Sequence, residues 1–239
     1  MPQVGIKKTN MKTSLLVAAT CLLGTAASLT GYAAIIIISP SIAQPVNVTT
    51  YDARWDFSAN RNPSGVWRYG WSEGLGGGLV LFTRNSQPAV NGGVEYGWDD
   101  PNNSAGFTPS VAVNTGGDFT DGNVTLSAGA LILHPCGPDG QAYAHVVWTA
   151  PKKGTYFLNA SFFTQQNGLN VDVHVLVNRV SVFDGVITQN NIVRAFSGSY
   201  KLAAGETVDF AVGPGGNVSL HPGNTGLQTV ILPLSNLRL

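Results

Sequence analysis

His145-Val-Val-Trp-Thr-Ala-Pro-Lys-Lys-Gly-Thr-Tyr-Phe157, Val171-Asp-Val-His-Val-Leu-Val-Asn178 and Leu202-Ala-Ala-Gly-Glu-Thr-Val-Asp-Phe-Ala-Val-Gly213 decide the fold class of this 239-residue chain. Each piece alternates apolar and polar residues and is closed by turn residues, which is the period of half-buried β-strands and not of helices. In Val171–Asn178 the valines 171, 173, 175 and 177 are expected to face a core. Asp172, His174, Leu176 and Asn178 are expected to face out, and in Thr207–Val212 Asp209 does the same. Asn178-Arg179 and Gly205-Glu206 read as tight hairpin connections.

The same reading extends to both sides of this stretch. Tyr51–Phe57, Val66–Trp71, Leu79–Thr83, Val94–Trp98, Ser110–Val113, Val124–Leu126, Ala130–Leu133 and Leu227–Leu232 are short candidate strands separated by Gly- and Pro-rich turns. Gly and Pro number 29 and 13, a composition suited to many turns. No window of helical period occurs after the N-terminal segment. Short strands at near-regular spacing predict an all-β antiparallel sandwich of the jelly-roll type, occupying residues 44–239 as one domain.

Residues 1–43 read as an address. Lys7, Lys8 and Lys12 precede an uncharged stretch from Ser14 to Ile38, which ends in Ser41-Ile-Ala43. A basic start, an apolar middle and a small-residue end form a secretory signal peptide, cleaved after Ala43 or, alternatively, near Ala27. An uncleaved membrane anchor is the competing reading, because the apolar stretch is long enough to span a bilayer. A lipid anchor at Cys21 is a further alternative. After cleavage the chain is expected to be secreted or at the cell surface, with no membrane contact. Ten basic and thirteen acidic side chains then remain, a net charge of −3. That surface has no electrostatic reason to bind nucleic acid. Cys136 is then unpaired within the chain and reads as a turn residue, with an intermolecular link as the alternative. Asn47, Asn123, Asn159 and Asn217 stand in glycosylation sequons, relevant only in a host that uses them.

Chemistry is sparse at the level of motif. His134, His145, His174 and His221 match no metal-ligand spacing. No nucleophile–base pair stands at a known local spacing, and the Gly74–Gly78 run is not followed by a helix that would present it to a phosphate. Glu73, Glu95, Asp99, Asp100, Asp118 and Asp121 fall in the loop-rich first half, where any two carboxylates within reach would suit a glycosidase. Asp99, Asp100 and Asn102 offer oxygen ligands suited to calcium, with an Asx-rich turn as the plainer reading. The aromatic residues are the better lead. Trp67, Tyr69 and Trp71 share one strand face, and Tyr96 and Trp98 repeat the arrangement. Flat rings with a polar handle suit sugars, so these five, with Asp99 and Asp100, are the candidate ligand-binding residues; packing of the sandwich core is the competing role. Trp148 reads as core.

Asp56-Phe-Ser, Asn62-Pro-Ser-Gly-Val-Trp-Arg-Tyr-Gly70, His134-Pro, Val147-Trp-Thr-Ala-Pro-Lys-Lys-Gly-Thr-Tyr156, Asp172–Asn178 and Leu202–Gly213 together resemble a group of secreted bacterial proteins of the PEP-CTERM-associated type. The strand plan is similar to the jelly rolls of carbohydrate-binding modules and C1q/TNF-like domains. The resemblance implies export and a surface or matrix role, and it carries over no catalytic residue. The chain ends Leu232-Pro-Leu-Ser-Asn-Leu-Arg-Leu239 without a PEP motif, so covalent sorting is not expected. The function expected from the sequence is a non-catalytic binding module for a glycan or another extracellular polymer. A self-associating matrix protein, a homo-oligomer, and a carbohydrate-active enzyme are the alternatives.

Overall fold

The computed structural model describes residues 49–86, 89–90, 93–100, 109–135, 141–168, 170–188, 192–215 and 223–234. The targeting segment, Asn102, Cys136 and His221 lie outside them. In chain order the strands are β1 (Tyr51–Asp52), β2 (Trp67–Ser72), β3 (Val80–Leu81), β4 (Arg84–Ser86), β5 (Ala89–Val90), β6 (Gly93–Asp99), β7 (Ser110–Asn114), β8 (Phe119–Asp121), β9 (Val124–Leu126), β10 (Leu131–His134), β11 (Tyr143–Thr149), β12 (Gly154–Thr164), β13 (Val171–Val177), β14 (Val180–Ile187), β15 (Val193–Leu202), β16 (Thr207–Gly213) and β17 (Thr225–Pro233).

These strands form an antiparallel β-sandwich. One sheet runs β15-β12-β17-β10-β7-β6-β4, with β1 also on β17 and β5 on β6; the other runs β14-β13-β16-β11-β2-β3, and β8 and β9 pair as a separate two-stranded sheet. From β10 onward the chain passes repeatedly between the sheets, in the manner of a jelly roll. Strand β17 is the spine of the first sheet. One of its edges pairs with β12 along its length, while the other is shared end to end by β10 and β1. The sandwich thus has a gap between β1 and β10, which the Arg54 side chain spans.

The inward valines are where the alternation places them. Val171, Val173, Val175, Val208, Phe210 and Val212 are fully buried. Trp148 sits at the centre, edge-on to Tyr156 at 4.9 Å and tilted against Tyr51 at 5.3 Å. It lies between Trp67 and Val208 on the neighbouring strands. Each such side chain contributes roughly 1.5–3 kcal/mol when fully buried, so this layer dominates the stability. The free edge of β15 carries Arg194 and Lys201, charges that discourage edge-to-edge pairing. Arg194 also donates to the Val186 carbonyl at 2.7 Å and ties β15 to β14 across the sandwich side.

Three expectations are corrected. Tyr51–Phe57 is a strand for two residues only; Asp52 then turns the chain. Leu79–Thr83 is a strand only at Val80–Leu81, and Val80 is exposed. His174 and Leu176 do lie on the outward face of β13, but they are buried there. The segment after β2 accounts for part of this cover. An added side chain at Gly70 would strike Val80 and Leu79, which therefore lie over the outer face. Arg179 reaches back to the Gly76 and Gly77 carbonyls at 3.2 and 2.9 Å. The Gly74–Gly78 run is thus a strap pinned across the second sheet. Its anchor residue sits in the tight β13–β14 turn, where Asn178 and Arg179 both have positive φ, as two-residue hairpins require.

Candidate functional site

The structure separates the seven residues expected to bind ligand. Trp67, Tyr69 and Trp98 are 1, 0 and 6% exposed, and Trp71 is partly buried against the same core. A buried ring offers no face to a sugar, so the aromatic platform read from β2 and β6 is not there. The reason is that the face of β2 and β6 that carries these rings is the one packed into the core. Tyr96 is exposed, while Trp98 on the same strand face is buried in the core. Asp99 is fully buried and held in two bonds by Arg84, at 2.7 and 2.9 Å. Arg84 thereby supplies the positive charge that a calcium ion would otherwise provide. Asp100 is buried beside it.

What the sequence reading passed over is Trp55. It is 73% exposed, more than any other large hydrophobic residue among those described. A short turn presents it. Asp52 Oδ1 accepts the Arg54 and Trp55 amides at 3.0 and 3.1 Å, and Asp56 Oδ2 accepts the Asp52 amide at 3.1 Å. This is a reciprocal capping arrangement, and it converts an apparent strand into a turn. The turn is anchored to the core, because the Trp67 indole N–H donates to Asp56 at 3.1 Å. Arg54 donates from Nε to the Gly129 carbonyl, which bridges the gap between β1 and β10. Its guanidinium carbon lies 3.9 Å over the Trp55 ring. One face of the indole is therefore backed by a fixed cation, a contact worth about 0.5–1 kcal/mol at the surface.

Beside Trp55 lies an open cleft of about 250 Å³, lined by Asp52, Arg54, Asn159, Ser161, Gln228 and Val230 among others. Asn159, Ser161, Gln228 and Val230 come from the outer face of β12 and β17, where register sets them side by side. The cleft thus combines one free aromatic face with amide, hydroxyl, guanidinium and carboxylate groups. Burial raises the Asp52 carboxyl above its ordinary value, against the backbone amides of Trp55 and Arg54 that favour its charge. A signal in the sequence existed: acids at Asp52 and Asp56 flank Ala-Arg-Trp at capping spacing.

A second cluster of polar groups lies on the outer face of the other sheet. His174 stands between Asp184 at 2.5 Å and Asp172 at 2.7 Å, and Tyr143 donates to Asp172 at 2.6 Å. Two strands away, His145 Nδ1 faces Asp209 at 2.9 Å and its Nε2 faces Ser72 Oγ at 2.8 Å. The order Asp–His–Ser is that of a nucleophilic relay. Its setting is different: Ser72 and His145 are 1 and 3% exposed, and Ser72 Oγ donates to the Gly74 carbonyl at 2.8 Å. With its proton given to the Gly74 carbonyl, the Ser72 hydroxyl is committed to the backbone. The row fixes the first turn of the strap to the sheet.

The carboxylates of the first half do not form an acid–base pair on β6. Burial pushes the Glu95 carboxyl up to about 7, the range of a general acid. Asp99 shares its strand face four residues away, about 13 Å along a strand. That exceeds the separation of roughly 5–9.5 Å used in glycoside hydrolysis, and Asp99 is committed to Arg84. Among the described residues no group of three or more His, Cys, Asp or Glu side chains is placed to hold a metal ion. No described helix is long and apolar enough to cross a membrane.

No family model and no curated protein matches the sequence. Several solved structures align with the chain at low similarity. A family 51 carbohydrate-binding module from Clostridium perfringens, in complex with methyl-galactose, is 12% identical, with a TM-score of 0.38 over 77% of this chain and 99% of that one. The cleaved adhesin domain of Lys-gingipain from Porphyromonas gingivalis is 16% identical, with a TM-score of 0.33 over 51% and 84%. A family 35 carbohydrate-binding module from Clostridium thermocellum is 13% identical, with a TM-score of 0.28 over 62% and 98%. At these values no residue role passes from them to this chain.

Proposed function

We propose that this protein is an exported, non-catalytic module that binds a neutral extracellular glycan on Trp55. The observation that carries the reading is the Trp55 indole, largely exposed and stacked on Arg54 beside a polar cleft. A pyranose ring presents C–H groups to one side and hydroxyls at its rim. Trp55 supplies the apolar face, and Asp52, Asn159 and Gln228 supply rim partners. The cleft lining holds one cation and one carboxylate, Arg54 and Asp52, so it favours no net charge in the ligand. Pre-fixing of the indole by Arg54 and Asp52 lowers the ordering cost of binding. Export and a surface location rest on the N-terminal sequence and on the resemblance of the mature chain.

Affinity electrophoresis against laminarin, xylan, hydroxyethylcellulose, galactan and dextran, with alginate as an anionic counter-probe, tests this. At least one neutral polymer is expected to retard the protein. Trp55→Ala is expected to weaken that retention roughly tenfold or more, because it removes the stacking face, a loss of about 1.4 kcal/mol. Its thermal midpoint stays at the wild-type value, since the indole packs little. Trp67→Phe serves as the comparison. It acts on Asp56 and the core, and so moves stability more than binding. Equal retention of wild type and Trp55→Ala contradicts the proposal.

A further inference from the structure

We infer that the Trp55 cleft is one of two adjoining subsites and that the module grips an internal stretch of a polysaccharide rather than a terminal sugar; this rests on the glycan reading above. A second open depression, of about 170 Å³, adjoins the first and shares Arg54 and Gln228 with it. Its far side is formed by Ala128, Leu131 and Phe163. Phe163 lies on the outward face of β12, opposite Gly226 of β17. An added Cβ at Gly226 would come within 2.3 Å of the phenyl ring, so the ring lies across β17 where a side chain is missing. Two aromatic rings thus stand at the two ends of one groove, Trp55 backed by a guanidinium and Phe163 by a bare strand.

Arg54 and Gln228 form the saddle between them. Arg54 is held in place by Gly129 and by Trp55. Its remaining N–H groups and the Gln228 amide are donors and acceptors at the point where a glycosidic linkage would cross. Asn159 and Phe163, at the two ends, are four residues apart on β12, about 13 Å. That length exceeds a single pyranose ring. Both depressions are open, so a chain can pass through without presenting an end.

The test uses the full mature chain and the hydrolysis fragments of whichever neutral polysaccharide it retains, from monosaccharide to hexasaccharide, in calorimetric titrations. The hexasaccharide is expected to bind about tenfold or more tightly than the monosaccharide. Ala128→Trp fills the second depression from an exposed position. It is expected to erase that length gain while leaving monosaccharide affinity unchanged. Phe163→Ala should act in the same direction, and Ala128→Trp keeps the test sound if Phe163→Ala loosens the small core of Phe119, Leu126, Ala130 and Ile132. Hexasaccharide and monosaccharide affinities that are equal, or a length gain that survives Ala128→Trp, overturn the second subsite while Trp55-dependent binding stands. Absence of any neutral polysaccharide binding overturns the glycan reading and this inference with it.

Discussion

Asp172→Ala is expected to lower the free energy of unfolding by about 3 kcal/mol, the cost of stripping one partner from a largely buried ion pair. Asp172 Oδ2 accepts from Tyr143 and from His174, and its Oδ1 accepts the Gly215 amide at 2.7 Å. Alanine leaves those donors facing an apolar methyl, with the imidazole balanced only by Asp184. Asp184 is largely solvent-exposed, so its own removal costs much less.

The pH dependence has a defined sign on each side. Burial opposes the charged form of His174, but Asp172 and Asp184 outweigh it and raise the imidazole above its ordinary 6.5. Its contribution is complete below that value and is lost as pH rises through the raised one. Burial also acts to raise Asp172. The bonds from His174, Tyr143 and the Gly215 amide outweigh it and hold the carboxyl below its ordinary 3.8. That contribution is present above 3.8 and is lost as pH falls through the lowered value. Urea unfolding across the acid-to-neutral range should therefore show the largest gap between wild type and Asp172→Ala at about pH 5, narrowing as pH rises past the His174 transition. Parallel curves would contradict the assignment.

Trp148→Ala is expected to cost about 3–5 kcal/mol, because the ring fills the space between the sheets and nothing nearby can collapse into it. Its contacts with Tyr51 and Tyr156 would be lost together. Trp148→Phe should cost clearly less. The indole N–H has no hydrogen-bond partner in its buried position, so its deletion offsets part of the lost volume. Calorimetric unfolding of the two variants checks both. An alanine variant within about 1 kcal/mol of wild type would show that Trp148 is not the centre of the core.

The scaffold was legible where the signal is local. The valines of β13 and the apolar positions of β16 follow from period two alone, and so does the hairpin at Asn178-Arg179. The side of a strand that meets water was not legible on β2. Alternation sorts Trp67 and Tyr69 from Arg68 and Gly70 correctly, yet both sides are covered, one by the core and one by a segment whose fold-back depends on Arg179 a hundred residues away. Trp55 was missed because Tyr51–Phe57 reads as a strand until the Asp52 and Asp56 carboxylates are recognised as turn caps. The Ser72–His145–Asp209 row joins residues separated by 73 and 64 positions. Only strand register brings them together, and no local motif announces it. The placing of Phe163 across Gly226 depends in the same way on register with another strand.

Glycan binding on the Trp55 ring, as proposed above, can be read ring by ring. The chain has five tryptophans, and Trp67, Trp98 and Trp148 are buried while Trp71 is partly so. Indole N–H resonances of ¹⁵N-labelled protein, followed during titration with the polysaccharide that retards it most, report each ring separately. The Trp55 resonance is expected to move and saturate while those of the three buried indoles stay in place. A stationary Trp55 resonance during binding, with any other indole shifting instead, would contradict it.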